Sequence, residues 1–378
     1  MAPRGALIDR AAVPAGEVEA FFDKLARSYS AAEDACGAVA RSFRIGGQVV
    51  ELRFAGPALV TPLGSALTHL GCTASGPADL TVCLFDSAST ATPPPPRPWT
   101  NEQVREGGLV EDFSNARFHT VYQVAARLLT VLDRDRRLAL CWTPDADDLA
   151  MPERAAPLRR LLQAWTADRG TLLVHGGAVG RSEGGVLVVG QGGAGKSTTA
   201  LACLRSPLKY AADDYCLLDP GPRPWVHSLY CTGKTDVSGL ARLPFLAPMV
   251  SNRDRGIDEK ALCSLHDHVP GALTTGFPLR AVLVPRLTRQ PTTTVAPSSP
   301  GAMLHALAPT TVLLSPQTAA RVLPVLADLA RRIPVYELAV GEDVSTIPAA
   351  IVDLLDALRA EEGTRRDRDP VPPAATVA

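Results

Sequence analysis

Between Val186 and Ser206 the chain reads VLVVGQGGAGKSTTALACLRS, and Gly190, Gly195, Lys196 and Ser197 fall on the spacing G-x-x-x-x-G-K-[ST]. Four glycines within six residues, beside one lysine and a run of hydroxyls, are the residue types that phosphate binding requires. Backbone N–H groups must close around anionic oxygens. Side chains would block that approach, and positions with φ > 0 favour glycine. On this reading Gly190, Gln191, Gly192, Gly193, Ala194, Gly195, Lys196, Ser197 and Thr198 form the cradle, and the helix that follows directs its free N–H groups at the anion. Lys196 reaches the outer phosphates and the Ser197 hydroxyl ligates Mg²⁺. The alternative is a glycine-rich turn that matches by chance. The apolar VLVVG before the loop and the helix-forming STTALACL after it supply the strand–loop–helix context that the motif needs.

Asp213 follows Lys196 by 17 positions, and Asp213 and Asp214 are adjacent in YAADDYCLL. Neighbouring side chains of an extended chain point to opposite faces, so the two carboxylates are expected to do different jobs. One would hold a metal ion and the other would face a substrate hydroxyl. A nearby like charge raises the pKa of one carboxylate, which suits a base. The plain alternative is a turn aspartate with a solvated neighbour.

The elements that must position these groups are readable from periodicity and breakers. In the first half, 48–54 and 78–86 read as strands, 61–71 as a helix capped by Thr61 and stopped by Gly71, and 128–142 as two strands joined by a charged turn at 133–136. The stretch SASTATPPPPRPWT (87–100) reads as a stiff loop, because consecutive prolines fit neither a helix nor a central strand. A helix over 152–167 bridges the halves, with Leu158, Leu161, Leu162 and Trp165 on one side. Beyond it, strands are expected at 171–180, 184–190, 208–218, 224–230, 279–285 and 335–340, and helices at 196–205, 316–331 and 347–360. Residues 361–378 lack an apolar face and are expected to be disordered.

Composition narrows the function classes. Of 378 residues, 38 are basic and 39 acidic. No basic stripe and few aromatics argue against nucleic acid as a partner. No uncharged apolar span is long enough for a membrane crossing, and the first 26 residues hold no leader-like apolar core. The eight cysteines lie far apart, mostly inside apolar runs, and are expected to be reduced core residues of a cytoplasmic protein.

Three segments carry a family resemblance: VHGGAVG with His175, GQGGAGKST, and AADD ending at Asp214. Lys196 follows His175 by 21 positions. Together they resemble the C-terminal domain of HPr kinase/phosphorylase and its relatives, whose P-loop core is shared with ATP-dependent phosphoenolpyruvate carboxykinases. The resemblance spans about residues 165–360 and is specific over 171–218. It implies a compact α/β kinase core unlike the doubly wound sheet of common P-loop ATPases. It also implies ATP and Mg²⁺, and phosphoryl transfer to a hydroxyl, typically of serine. By position it implies Asp213 as base, Asp214 as the metal-side carboxylate and His175 near the reacting phosphates; the alternative for His175 is a strand histidine bonded to backbone. The glycine-rich signature that HPr kinases carry after the acidic pair has no convincing counterpart here, where NRDRGIDEKAL (252–262) holds only RGI. HPr is therefore not the expected acceptor, and the pattern suits HPr-kinase-like proteins that act on free serine or small peptides.

Phosphoryl transfer also calls for extra cations. Lys234 and Lys260 interrupt largely uncharged stretches and rank first, followed by Arg253 and Arg255; HDH at 266–268 is a weak metal signal. The expected protein is α/β, with a mixed α/β accessory or substrate-selecting domain over 1–150, an HPr-kinase-like ATP-binding domain over 151–362 and a tail over 363–378. Its expected activity is ATP-dependent phosphorylation of a hydroxyl-bearing small molecule or peptide. The rival readings are a nucleotide-binding regulatory or scaffold protein with little catalysis, and carboxykinase-like decarboxylating chemistry. Assembly into a homo-oligomer is left open.

Overall fold

The computed structural model describes residues 13–74, 76–256, 258–314 and 319–368. These divide into two compact units, one within Met1–Ser65 and Gly71–Trp165, the other within Ala66–Leu70 and Thr166–Ala378. Both are mixed α/β. The division at Trp165 lies beyond the boundary expected near residue 150, and the short segment Ala66–Leu70 belongs to the second unit.

The first unit opens with helix α1 (Ala15–Cys36), followed by strands β1 (Ala38–Ile45) and β2 (Gln48–Ala55), helix α2 (Val60–Gly64), β3 (Leu80–Asp86), the one-turn α3 (Ser87–Thr90), β4 (Phe118–Gln123), β5 (Leu128–Asp133), β6 (Leu138–Thr143), α4 (Met151–Ala155) and α5 (Arg159–Ala167). The sheet order is β1-β2-β3-β6-β5-β4. Helix α1, absent from the sequence-derived elements, buries Val18, Phe21, Phe22, Leu25, Tyr29 and Ala32 at helical spacing in a core with Phe85, Leu129, Val131 and Leu140.

Several sequence expectations change here. Helix α2 begins at Val60, so Thr61 is not its cap, and the segment continues as a 3-10 turn, Ser65–Leu70. The expected loop at 87–100 starts as a helical turn, because the Asp86 carboxylate accepts the Ser89 N–H at 2.8 Å; no helix or strand follows over 91–97. The single helix expected over 152–167 is two. Pro157 intervenes and Leu158 takes φ +55°, which no helix continues through. Leu158, Leu161, Leu162 and Trp165 are nonetheless all buried.

The second unit comprises β7 (Leu172–His175), β8 (Gly177–Arg181), β9 (Gly184–Val188), α6 (Lys196–Ala202), β10 (Lys209–Ala212), β11 (Tyr215–Asp219), β12 (Trp225–Ser228), β13 (Thr232–Thr235), α7 (Val237–Arg242), β14 (Ala261–Ser264), α8 (Leu265–His268), β15 (Gly276–Leu287), β16 (Thr294–Pro297), α9 (Pro300–Leu314), α10 (Ala319–Arg332), β17 (Val335–Val340) and α11 (Ile347–Arg368). The main path of its nine-stranded sheet is β10-β8-β9-β15-β12-β11-β7, with β17 beside β15 and β16 beside β17; β13 and β14 form a separate ribbon. Among the described strands of this unit, only the β9–β15 and β15–β17 pairs are parallel.

Two strands expected to be continuous are broken. The run 171–180 divides at Gly176 into β7 and β8, and 208–218 divides at Asp213–Asp214 into β10 and β11. Strands β7 and β11 pair with each other, as do β8 and β10, at opposite ends of the sheet path. The two breaks therefore join the ends of that path, and the acidic pair sits at the join. Along β9 the side chains alternate between two cores. Val186 and Val188 face α6 and α11 through Ala200, Leu201, Ile347 and Ile351. Leu187 and Val189 face α9 and α10 through Met303, Leu307, Leu326 and Leu329.

Helix α11 runs on to Arg368, past the point where disorder was expected. Arg280 pairs with Glu362 and holds that stretch to β15. Residues 369–378 and 316–318 lie outside the described residues. All eight cysteines are free thiols, six of them buried, with Cys36 exposed and Cys72 partly so. Among the described residues no helix is long and apolar enough to cross a membrane.

Candidate active site

The glycine-rich loop leaves the end of β9, where Val189 N–H donates to Leu283 O at 2.9 Å, and enters α6 at Lys196. Gly193 and Gly195 take φ of +80° and +100°, in the left-handed region that side chains disfavour. The Lys196 side chain folds back across the loop. Its Nζ donates to Gly190 O at 2.8 Å and Gln191 O at 3.1 Å. Only 6% exposed, it has its pKa lowered by burial, with Asp214 and Asp213 opposing the shift and Lys260 adding to it. An ammonium so placed is desolvated and within the field of both carboxylates.

Gly176 ends β7 and brings that strand hard against the root of the loop. A Cβ there would lie 3.0 Å from Val188 O. Its N–H donates to Asp214 O at 3.0 Å, which ties the VHGG break to the DD break. Residues His175 and Tyr215 are register partners across β7 and β11, with ring centroids 5.3 Å apart.

The two aspartates part company at this join. Asp213 turns inward and is 2% exposed. Its Oδ1 accepts the Tyr210 hydroxyl at 2.7 Å and its Oδ2 the Lys234 N–H at 2.8 Å. Burial, reinforced by the charge of Asp214, raises it to about 6. The Asp214 side chain keeps 21% of its surface and is clasped by Lys234 Nζ at 2.6 Å and His175 Nε2 at 3.1 Å. Burial pushes Asp214 up, but the hydrogen bond from His175 and the Lys234 ammonium outweigh it and hold the carboxyl well below the usual range. One carboxyl of the pair is thus poised to take a proton near neutral pH while the other stays ionised, the arrangement that separates acid–base roles.

His175, Asp213, Asp214 and Lys234 thus form one connected cluster, with Lys196 near enough for the charges of both aspartates to act on it. Ser197 lies beside the cluster through a long 3.4 Å contact from its hydroxyl to Asp213 O. Thr198 lies in the first turn of α6. Lys260 is exposed at the foot of β14, near enough for its charge to act on Lys196 and Asp236. Arg253 and Arg255 hold carbonyls of their own loop, Pro248 O and Asn252 O. Among the described residues, no three or more His, Cys, Asp or Glu side chains group as a metal cage. A hydroxyl and one carboxylate, Ser197 and Asp214, instead suit Mg²⁺, which takes most of its ligands from phosphates and water.

Sequence reasoning missed Tyr210. In a regular strand, residues three apart face opposite ways, and only the register shift between Tyr210 and Ala212 puts its hydroxyl on Asp213. It also missed His69, whose Nε2 lies 2.7 Å from Ser228 Oγ while that hydroxyl donates to Ala211 O at 2.6 Å.

No family model matches the chain, and no curated protein sequence matches it. The chain is similar to the solved structure of the Hpr(Ser) kinase/phosphatase from Coxiella burnetii, with 9% sequence identity and a TM-score of 0.30, over 52% of this chain and 98% of that one. The likeness is distant.

Proposed function

We propose that the second unit is an ATP-dependent phosphotransferase that moves the γ-phosphoryl group of ATP to a hydroxyl, of a serine-type small molecule or of a peptide. The observation that carries this reading is the junction of a G-x-x-x-x-G-K-S loop with two adjacent carboxylates of opposite pKa displacement. The motif context and the three spaced segments around His175, Lys196 and Asp213 support it at the level of sequence.

The N–H groups of residues 190–198 bind the phosphates, and Lys196 turns from the loop carbonyls to the outer phosphate oxygens. Lys234 and Lys260 add positive charge where negative charge spreads over the oxygens of the transferred group. Asp213 accepts the proton of the attacking hydroxyl. His175 hydrogen-bonds to Asp214 and keeps that carboxylate oriented beside the reacting phosphates. Ser197 and Asp214 would hold Mg²⁺, with Asp214 also contacted by Lys234 and His175; when bound, the ion would neutralise phosphate charge.

The test is transfer of label from [γ-³²P]ATP, with Mg²⁺, to free serine or a serine-containing peptide. Lys196→Ala and Asp213→Asn are each expected to lower the transfer rate by about 100-fold or more. Undiminished transfer in both variants overturns the reading. Tight nucleotide binding without transfer or hydrolysis favours the scaffold alternative instead.

A further inference from the structure

Tyr210 belongs to no recognised motif, yet it is among the largest fully buried side chains of the molecule, 1% exposed. Its ring lies in the apolar cluster of Leu201, Leu204, Leu208, Cys263 and Leu265. A phenylalanine would serve that packing without bringing a hydroxyl into the core, and a buried tyrosine hydroxyl has to find a partner. Here the hydroxyl lies 2.7 Å from Asp213 Oδ1 and 3.3 Å from Thr232 O. It has one proton to give, and the shorter contact is to the carboxylate, the stronger acceptor.

The other oxygen of the same carboxylate takes the Lys234 N–H at 2.8 Å. The two donors come from separate pieces of structure. Tyr210 is on β10 of the main sheet, and Lys234 is on the β13–β14 ribbon. Two donors on two oxygens fix both the position of the carboxylate and the plane in which it lies. We propose that Tyr210 is a positioning residue for phosphoryl transfer: its hydroxyl, working against the Lys234 amide, holds the Asp213 carboxylate in the one orientation that meets the acceptor hydroxyl. This rests on the reading of Asp213 as proton acceptor. It adds a residue that sets the geometry of that step without touching substrate.

Tyr210→Phe keeps the ring and removes only the hydroxyl. With [γ-³²P]ATP, and with free serine and water as acceptors, kcat is expected to fall about 10- to 100-fold, the effect of misplacing a reacting group by a fraction of an ångström to an ångström. KM for ATP and the rise in melting temperature on adding ATP and Mg²⁺ stay as in the parent. A lower melting temperature with unchanged kcat assigns Tyr210 to packing alone and overturns the proposal, as does an equal loss in nucleotide binding. A second readout needs no turnover and no folded Phe variant. The proton NMR spectrum of the parent protein should hold a slowly exchanging downfield hydroxyl signal that moves in Asp213→Asn. Its absence from the parent, or its indifference to Asp213→Asn, also overturns the proposal. If the parent transfers phosphate to neither acceptor and Lys196→Ala changes nothing, it is the phosphotransferase reading that fails, and the downfield signal still decides whether Tyr210 holds Asp213.

Discussion

Asp213 and Asp214 are bonded neighbours with opposite electrostatic fates, and the cause is what each side chain meets. Asp213 enters a dry pocket with two hydrogen-bond donors and a like charge beside it; Asp214 meets an ammonium and an imidazole. As the proposed base, Asp213, raised to about 6, is ionised at neutral pH and would lose that function as the pH falls. The rate of phosphoryl transfer should therefore drop on the acid side with an apparent midpoint near that value. Burial and Asp214 raise Asp213, while Lys234 opposes them, so Lys234→Met should move the midpoint to higher pH; a pH–rate profile of the two proteins checks this. The stability effect has the opposite sense from that of a salt-bridged aspartate. Between 3.8 and about 6 the folded state binds more protons at Asp213 than the unfolded chain does, so this group's contribution to stability falls as pH rises through that window. Denaturant titrations of the parent and Asp213→Asn across the same range should differ by that slope, the parent losing stability relative to the variant as the pH rises.

At the scale of elements, the site depends on one loop and two breaks. The loop was legible because its signal is local: glycine is the residue that adopts φ near +80° to +100° without strain, and the spacing from strand to helix is short. Within the loop the glycines are unequal. Gly195 sits at φ +100° with Leu287 Cδ2 3.1 Å from where a Cβ would be, whereas a Cβ on Gly192 meets nothing within 4 Å and needs no left-handed backbone. Gly195→Ala should cost about 1–2 kcal/mol and weaken nucleotide binding, while Gly192→Ala leaves stability unchanged; thermal melts with and without ATP separate the two. The breaks at Gly176 and Asp213–Asp214 were not legible. The apolar residues of 171–180 and 208–218 continue across them, and what interrupts each strand is a partner far away in sequence. The α4–α5 break was legible in principle, since Pro157 stands in the middle of the apolar helical pattern.

At the scale of the molecule, the second unit is completed by a segment from far upstream. Ala66–Leu70 lies within it. Cys231 N–H donates to Ala66 O at 2.8 Å, and His69 reaches Ser228, whose hydroxyl in turn holds Ala211, two residues before Asp213. The proton of Ser228 goes to Ala211 O, so the imidazole Nε2 carries the hydrogen between them. Burial, with His266 nearby, pushes His69 down to about 3. The unfolded chain takes up that proton first, so the stability His69 contributes is fully present above 6.5 and is lost as pH falls toward about 3. His69→Phe should remove this acid sensitivity and cost about 1–2 kcal/mol at neutral pH through the lost hydrogen bond; chemical denaturation at pH 7.5 and pH 5 reads both effects. The opposite pH slopes expected of Asp213 and His69 make the two variants distinguishable in the same experiment.

The amino-acid sequence alone determined that an apolar strand would run into a glycine loop, a lysine and a helix, that an acidic pair would follow 17 residues after that lysine, and that the cysteines would be free. Each of these depends on neighbours a few residues apart, where steric and spacing rules act directly. Tertiary structure decided which of the two carboxylates is buried, that Tyr210 and the Lys234 amide grip it, that His175 and Lys234 share the other, and that a five-residue segment from the first half completes the second unit. Those outcomes turn on desolvation and on hydrogen bonds between groups distant in the chain, and neither exists until the sheet has closed and drawn those groups together.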